Sequence, residues 1–249
     1  MNEYRHESAQ RRVVEDYFHT TSGVGDVRNA ENFQRSVSGL RRRIGNWLDV
    51  MGKDVLDLGS GTGELCWLVH NSGANRVVGI NLSQGEIDYA RQQVAIDFIC
   101  QDIGDYLAEC RPDSVDRIFA MNILEHLDKD ALVSVLEGAF SCLREGGELV
   151  AMVPNGISPF GGMTRYWDIT HQLAFTPSSV NQLARLVGFA KVEFRECGPV
   201  PYGLVSGIRY GLWLGIRLLI RTYLMIETAS GKGGVYTSDM LFRLHKMGS

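Results

Sequence analysis

The sequence predicts one doubly wound α/β domain, a mostly parallel sheet covered by helices on both faces. Three observations predict it. From Lys53 onward, short apolar runs alternate with longer amphipathic stretches. A glycine-rich turn, Gly59-Ser-Gly-Thr-Gly63, follows the first of those runs. The chain has 249 residues, 45% of them hydrophobic, which suffices for a single large core.

The first fifty residues read as an N-terminal helical cap (1–50) ahead of the main domain (51–249). Val13, Val14, Tyr17 and Phe18 recur near helical spacing over Glu7–His19. A second helix is expected from about Ala30 to Trp47, with Leu40, Ile44 and Trp47 on one side. It contains Arg41, Arg42 and Arg43, read as a solvated face in preference to an anion-binding patch. Strands are then expected near 53–58, 76–81, 96–101, 115–121, 146–153, 190–196 and 238–245. Helices are expected near 63–71, 84–95, 130–143 and 177–187. Strand-helix alternation implies right-handed crossovers and parallel neighbours. Two stretches exceed this alternation, 154–176 and 198–236, and long connections in a compact domain are often functional.

Composition narrows the function. A net charge of −4 supplies no basic field for nucleic acid, so no nucleic-acid partner is expected. Cys66, Cys100, Cys110, Cys142 and Cys197 are scattered and lack CxxC spacing. Neither a disulfide framework nor a zinc site is expected, and a reducing cytoplasm is the expected location. The polar start, Met1-Asn-Glu-Tyr-Arg-His, does not read as a secretory signal. No metal is expected.

Val55-Leu-Asp-Leu58 is a buried-strand signature, and the glycines after it let the backbone turn sharply and approach a ligand. The G-x-G-x-G spacing differs from the G-x-G-x-x-G of dinucleotide sites, and no Gly-Lys-Ser/Thr follows as in a P-loop. Asp57 is a poor neighbour for pyrophosphate but suits an aminoacyl ammonium.

On these residues the sequence resembles the class I S-adenosylmethionine-dependent methyltransferases, well over Lys53–Val153 and more loosely over Phe175–Glu196. The resemblance implies a Rossmann-like fold with a seven-stranded sheet and an antiparallel last strand. It implies S-adenosylmethionine as cofactor, leaving S-adenosylhomocysteine as product. By match, Asp57, Gly59, Ser60, Gly61 and Gly63 wrap the methionine end. Asn81, followed by Leu82, stands where the family commonly has a ribose-binding acid. An amide still engages hydroxyls as donor and acceptor. Asp102 matches the carboxylate near the adenine amine, with Ile103 against the ring, and Asn122 and Ile123 line the methionine side.

The sulfonium methyl is already activated, so alignment does most of the work, and a hydroxyl acceptor also benefits from a general base. Glu125 and His126 follow the fourth strand, beside the expected methyl position. His171, oriented by Asp168, is the preferred base, and loop-ordering roles compete for both places. Arg165, Tyr166 and Trp167 concentrate polar and aromatic groups suited to a sugar ring. The Tyr/Trp-Asp-x-Thr-His arrangement resembles methyltransferases of bacterial surface-polysaccharide or glycan assembly. The second insertion, 203–226, is apolar with Arg209, Arg217 and Arg221 at helical spacing. It reads as a cap helix on its own domain or on a homodimer partner, with peripheral membrane contact as the competing reading. The leading function is O-methylation of a sugar hydroxyl in a glycan or glycolipid. The alternatives are O-methylation of a small natural product, lipid or quinone, and a non-catalytic cofactor-binding protein serving assembly or regulation.

Overall fold

A computed structural model of the chain describes residues 30–229 and 234–248. The helix expected over Glu7–His19 lies outside them. Helix α1 (Ala30–Ile44) runs into a 3₁₀ turn (Gly45–Trp47). The alternation follows as β1 (Asp54–Leu58), α2 (Glu64–His70), β2 (Arg76–Asn81), α3 (Gln84–Gln93), β3 (Asp97–Cys100), α4 (Ile103–Glu109) and β4 (Val115–Met121). A 3₁₀ turn (Leu124–His126) leads to α5 (Lys129–Cys142) and β5 (Leu143–Pro154). Last come α6 (Gly161–Arg165), α7 (Pro177–Val187), β6 (Lys191–Glu196), α8 (Leu204–Thr228) and β7 (Asp239–His245).

The seven strands form one sheet in the order β3-β2-β1-β4-β5-β7-β6. Pairings among β1 to β5 are parallel, and β7 runs antiparallel to both β5 and β6. The doubly wound sheet with its antiparallel last strand is as the sequence predicts. Side chains alternate between the faces, and both faces are apolar. Leu56, Leu58, Val78, Ile80, Ile118 and Ala120 pack with α4, α5 and α7 on one side. Val55, Val77, Phe119, Val150 and Met152 pack with α1, α2 and α3 on the other.

Two helices lie where the sequence reading placed none, α4 and the five-residue α6. Helix α4 begins at Asp102, whose carboxylate accepts the backbone N–H groups of Gly104 and Asp105. The signal was present: an N-cap aspartate, then Ile103 and Leu107 at i and i+4, both buried.

Helix α1 is fastened to the sheet through its last carbonyls, which no helical N–H can reach. Arg195 donates to the Ile44 carbonyl at 2.7 Å, and Arg117 donates to the Trp47 carbonyl at 2.6 Å. The guanidinium groups of Arg195 and Arg243 lie over the Trp47 ring at 4.2 and 4.9 Å. Arg117 is buried and also ion-paired with Glu148 of β5. The two insertions meet at Asn155, which is fully buried. Its amide donates to the carbonyls of Val235 and Thr237 at 2.7 and 2.8 Å.

Arg117 joins β4, β5 and α1, so Arg117→Ala leaves Glu148 half-compensated and the Trp47 carbonyl unpaired. Chemical denaturation should show a loss of about 3 kcal/mol, the lower end for breaking a buried pair. Arg243 and His245 still reach Glu148, which keeps the loss at that end.

Candidate active site

In an open α/β sheet, a cleft forms beyond the carboxyl ends of the strands where their order reverses. Here that point is between β1 and β4, which are paired in parallel. A crevice of about 620 Å³ opens there. Its walls come from the turn after β1 (Asp57, Gly59, Ser60, Gly61), the end of β2 (Asn81, Ser83, Glu86) and the end of β4 (Asn122, Ile123, His126). Helix α1 adds Arg35, Arg42 and Arg43. Arg42 and Arg43 therefore face the crevice rather than forming only the solvated face the sequence suggested.

The glycine turn is shaped by two requirements. At Gly59 φ is +71°, and a Cβ would fall 2.8 Å from the Ile123 side chain. The Gly59 and Ser60 N–H groups both donate to the Ile80 carbonyl, tying the turn to β2. At Gly63 φ is +88°, and a Cβ would fall 2.9 Å from that of Ala90. Gly63 thus lets α2 approach α3, and it stands behind the crevice rather than on its wall. Asp57 is fully buried, and burial raises its carboxyl pKa to about 7. The Cys66 thiol donates to it at 3.2 Å, which opposes that rise.

At the end of β2 the structure supplies a residue the sequence reading missed. The Asn81 amide donates to the buried Glu86 carboxylate at 2.8 Å. A carboxylate from α3 thereby returns to the wall where the strand itself ends in an amide. The Asn81-x₄-Glu86 spacing carries that signal only once a helix start is placed at Gln84. The buried hydroxyls of Ser60 and Ser83 have no hydrogen-bond partner. Both line this crevice, and buried polar groups are rarely left so without a ligand to serve. A polar ligand entering here would satisfy them. Leu82 is half-buried beside this wall. Asp102 and Ile103 lie off it: one Asp102 oxygen caps α4, and Ile103 packs in the core.

The opposite wall is formed by Asn122, Ile123 and His126. Asn122 ends β4 with φ at +55°, a conformation asparagine tolerates better than most residues, while its N–H donates to the Met152 carbonyl. The 3₁₀ turn then presents Glu125 and His126, and the insertion after β5 brings His171 against them. The two imidazole rings meet edge to face, 4.7 Å apart. The Glu125 carbonyl accepts from the N–H groups of Gln172 and Leu173, and Gln172 donates to the His126 carbonyl. Burial raises the Glu125 carboxyl pKa to about 8. Burial, and then the neighbouring His171, lower that of His126 to about 4, so the ring is neutral at pH 7.

The expected pairing of Asp168 with His171 takes a different form. The Asp168 carboxylate accepts from the Thr170 N–H and hydroxyl at 2.8 and 2.6 Å. The Thr170 hydroxyl oxygen lies 2.7 Å from His126 Nδ1. His171 is instead held by its Nδ1 to the Thr164 carbonyl at 3.1 Å. Asp168 thus supports His126 through Thr170, because Thr170 is the residue its short side chain reaches. Arg165, expected to touch substrate, donates from both terminal nitrogens to the His171 and Gln172 carbonyls and staples the loop. Tyr166 and Trp167 are each 80% exposed.

Residues 55–147 match the family described as "Methyltransferase domain". A ubiquinone biosynthesis O-methyltransferase of Pseudomonas aeruginosa is 32% identical over 113 residues, 42% of this chain and 47% of that protein. A tRNA U34 carboxymethyltransferase of Methylococcus capsulatus is 35% identical over 182 residues, 64% of this chain and 51% of that protein. The chain spans about half the length of these curated relatives. Among solved structures, an S-adenosylmethionine-dependent methyltransferase from Archaeoglobus fulgidus superposes with a TM-score of 0.64 at 19% identity, covering 86% of this chain and 94% of that one. Phosphoethanolamine N-methyltransferase 2 of Haemonchus contortus gives 0.65 at 16% identity, over 97% and 61%. The sheet and its helices therefore have the class I methyltransferase fold.

The buried Asp57 makes a linked prediction about stability. Its folded pKa, about 7, is above the ordinary value of 3.8. As pH rises through that interval, the unfolded chain releases the proton while the folded chain retains it, so stability falls. Asp57→Asn should melt above the wild type at pH 8.5, with the gap closing towards pH 4. Calorimetric melts of the ligand-free protein across that range would show it.

Proposed function

We propose that this chain, whose core has the class I methyltransferase fold, is an S-adenosylmethionine-dependent O-methyltransferase. The observation that supports it best is the make-up of the crevice. One wall holds a buried carboxylate and two buried hydroxyls without partners, and the facing wall holds imidazole. When bound, S-adenosylmethionine supplies a methyl group already activated on a sulfonium.

Asp57 would hold the ammonium of the amino-acid end, and the Gly59–Gly61 backbone would lie against it. Asn81 and Glu86 would take the ribose hydroxyls, with Ser60 and Ser83 as further hydroxyl partners. The resemblance assigns Leu82, Asp102 and Ile103 to the adenine, and Asn122 and Ile123 to the methionine side. His126 and His171 would stand on the acceptor side, where the neutral His126 imidazole is able to accept the proton an acceptor hydroxyl releases.

For the acceptor we infer a hydroxyl on a molecule with a lipid tail. Helix α8 exposes Leu204, Val205, Leu212, Leu218, Leu219 and Ile226, and the first insertion exposes Phe160, Met163 and Ile169. An apolar surface of this extent marks an interaction site. Ser158, Pro159 and Phe160 share a surface cavity with Trp213, Ile216 and Ile220 of α8, so the two insertions adjoin. No described helix is long and apolar enough to cross a membrane. Arginines along α8 suit a helix lying in the plane of an anionic surface. The relatives that make ubiquinone favour a quinone-type ring as the head group. A glycolipid sugar hydroxyl is the second reading, favoured by the exposed rings of Tyr166 and Trp167.

Transfer of labelled methyl to a prenylated dihydroxybenzene and to an alkyl glycoside, both in vesicles, would separate the two head groups. Transfer to neither, with cofactor binding intact, would leave the assembly role. Asp57→Asn should weaken S-adenosylhomocysteine binding by about 10- to 100-fold in titration calorimetry, the value of a hydrogen bond to a charged group. Replacing Leu212, Leu219 and Ile226 together by aspartate should abolish sedimentation with anionic vesicles. A dimer that dissociates on the same replacement, with sedimentation absent from the start, would assign the face to a second copy instead.

A further inference from the structure

We propose that Glu125, His126 and His171 form a site for a divalent transition-metal cation on the acceptor wall of the crevice. One carboxylate oxygen and one nitrogen of each ring all lie within 4.8 Å of one another. The three come from two segments, the turn after β4 and the insertion after β5, which only the fold brings together. Sequence spacing gave no reason to expect a metal here.

The Glu125 carboxylate carries the argument furthest. It is 1% exposed, and its Oε2 has no hydrogen-bond partner. Its Oε1 lies 3.9 Å from His171 Nε2, too far for a hydrogen bond. A simple acid-base pair would have closed that distance. Donor atoms of a tetrahedral site with bonds near 2.0–2.2 Å are about 3.3–3.6 Å apart. Small side-chain rotations therefore bring this set to coordinating geometry.

The surroundings are those of metal-bound histidines, whose second ring nitrogen is held by a carbonyl, hydroxyl or carboxylate. His171 Nδ1 donates to the Thr164 carbonyl, which leaves Nε2 as the ring nitrogen with the lone pair. His126 Nδ1 meets the Thr170 hydroxyl, itself donating to Asp168. Arg165 fixes the backbone at His171 and Gln172, so the ligands are placed before any ion arrives. Two imidazoles and one carboxylate select zinc, manganese, iron(II) or cobalt over magnesium and calcium. Three protein ligands leave a coordination position open.

Of the three residues His126 lines the crevice, and the role below requires the open position to face it. The role we assign to the ion rests on the methyltransferase reading. It takes the acceptor oxygen as a further ligand and lowers the pKa of that hydroxyl, whose proton passes to water. With the ion bound the histidines serve as its ligands, and the proton-accepting role proposed above belongs to the metal-free protein.

The test uses the full chain, stripped with chelator and titrated with Co²⁺ by visible absorption, then with Zn²⁺ in competition. One Co²⁺ per chain is expected, displaced by Zn²⁺. Glu125→Gln and His171→Gln should each weaken it more than about 100-fold while still binding S-adenosylhomocysteine, which shows that they fold. Absence of saturable Co²⁺ binding, or binding unchanged in both variants, overturns the site. Methyl transfer that is lost on chelation and restored by Zn²⁺ or Mn²⁺ supports the role. Transfer indifferent to metal overturns the role. Metal binding in a protein that binds no S-adenosylhomocysteine supports the site and overturns the methyltransferase reading instead.

Discussion

The parallel pairing of β1 with β4 is the constraint on which the rest of this structure depends. Chain order would continue the sheet outward from β3, but β4 returns to the other side of β1. The crossovers on the two sides must then cover opposite faces, and no helix can fill the gap between their starting points. That gap is the crevice. The close approach of Gly59 to Ile123 is its floor, because these residues leave adjacent strands on diverging paths. A side chain at Gly59 would push the two turns apart.

Polar groups on the crevice wall are held at a cost to the fold. Asp57 sits between strands and helix with water removed, and its carboxyl is harder to ionise there than in solvent. Ser60 and Ser83 are buried with their hydroxyls unserved. Buried polar groups without partners lower the stability of the fold. The apolar clusters on both faces of the sheet offset that loss.

The acceptor wall is built differently. Its side chains are placed by main-chain contacts between segments remote in sequence. The Glu125 carbonyl receives two N–H groups from the insertion, and Arg165 grips the insertion's own carbonyls. Backbone lacing of this kind fixes the main chain of Glu125, His126 and His171, and the two ring Nδ1 atoms add bonds to Thr170 and Thr164. The ends of those side chains converge, and of the three His126 reaches the crevice. Helix α8 is attached more lightly, chiefly through Trp213 and Arg217 to Glu196, and most of its apolar surface faces outward.

Strand periodicity, the turn residues and the Asp57-to-Gly63 segment by themselves determined the sheet, most of its helices and the place of the crevice. These are local features: alternation reports burial, and glycine reports a backbone that no other residue adopts at low cost. Locality also explains what stayed hidden. Asp102 reads as a ligand contact, and the Gly104 and Asp105 N–H groups show that one of its oxygens also caps a helix. Glu86 reads as an ordinary helical acid until Asn81 is seen to hold it. Arg165 reads as a substrate contact, and its carbonyl partners show that it also holds the loop. The Asp168 link to His126, and the meeting of His126 with His171 and Glu125, were decided by tertiary structure alone. They join the end of β4 to a loop after β5, and the distance between those segments is set by a crossover whose length says nothing about where its side chains converge.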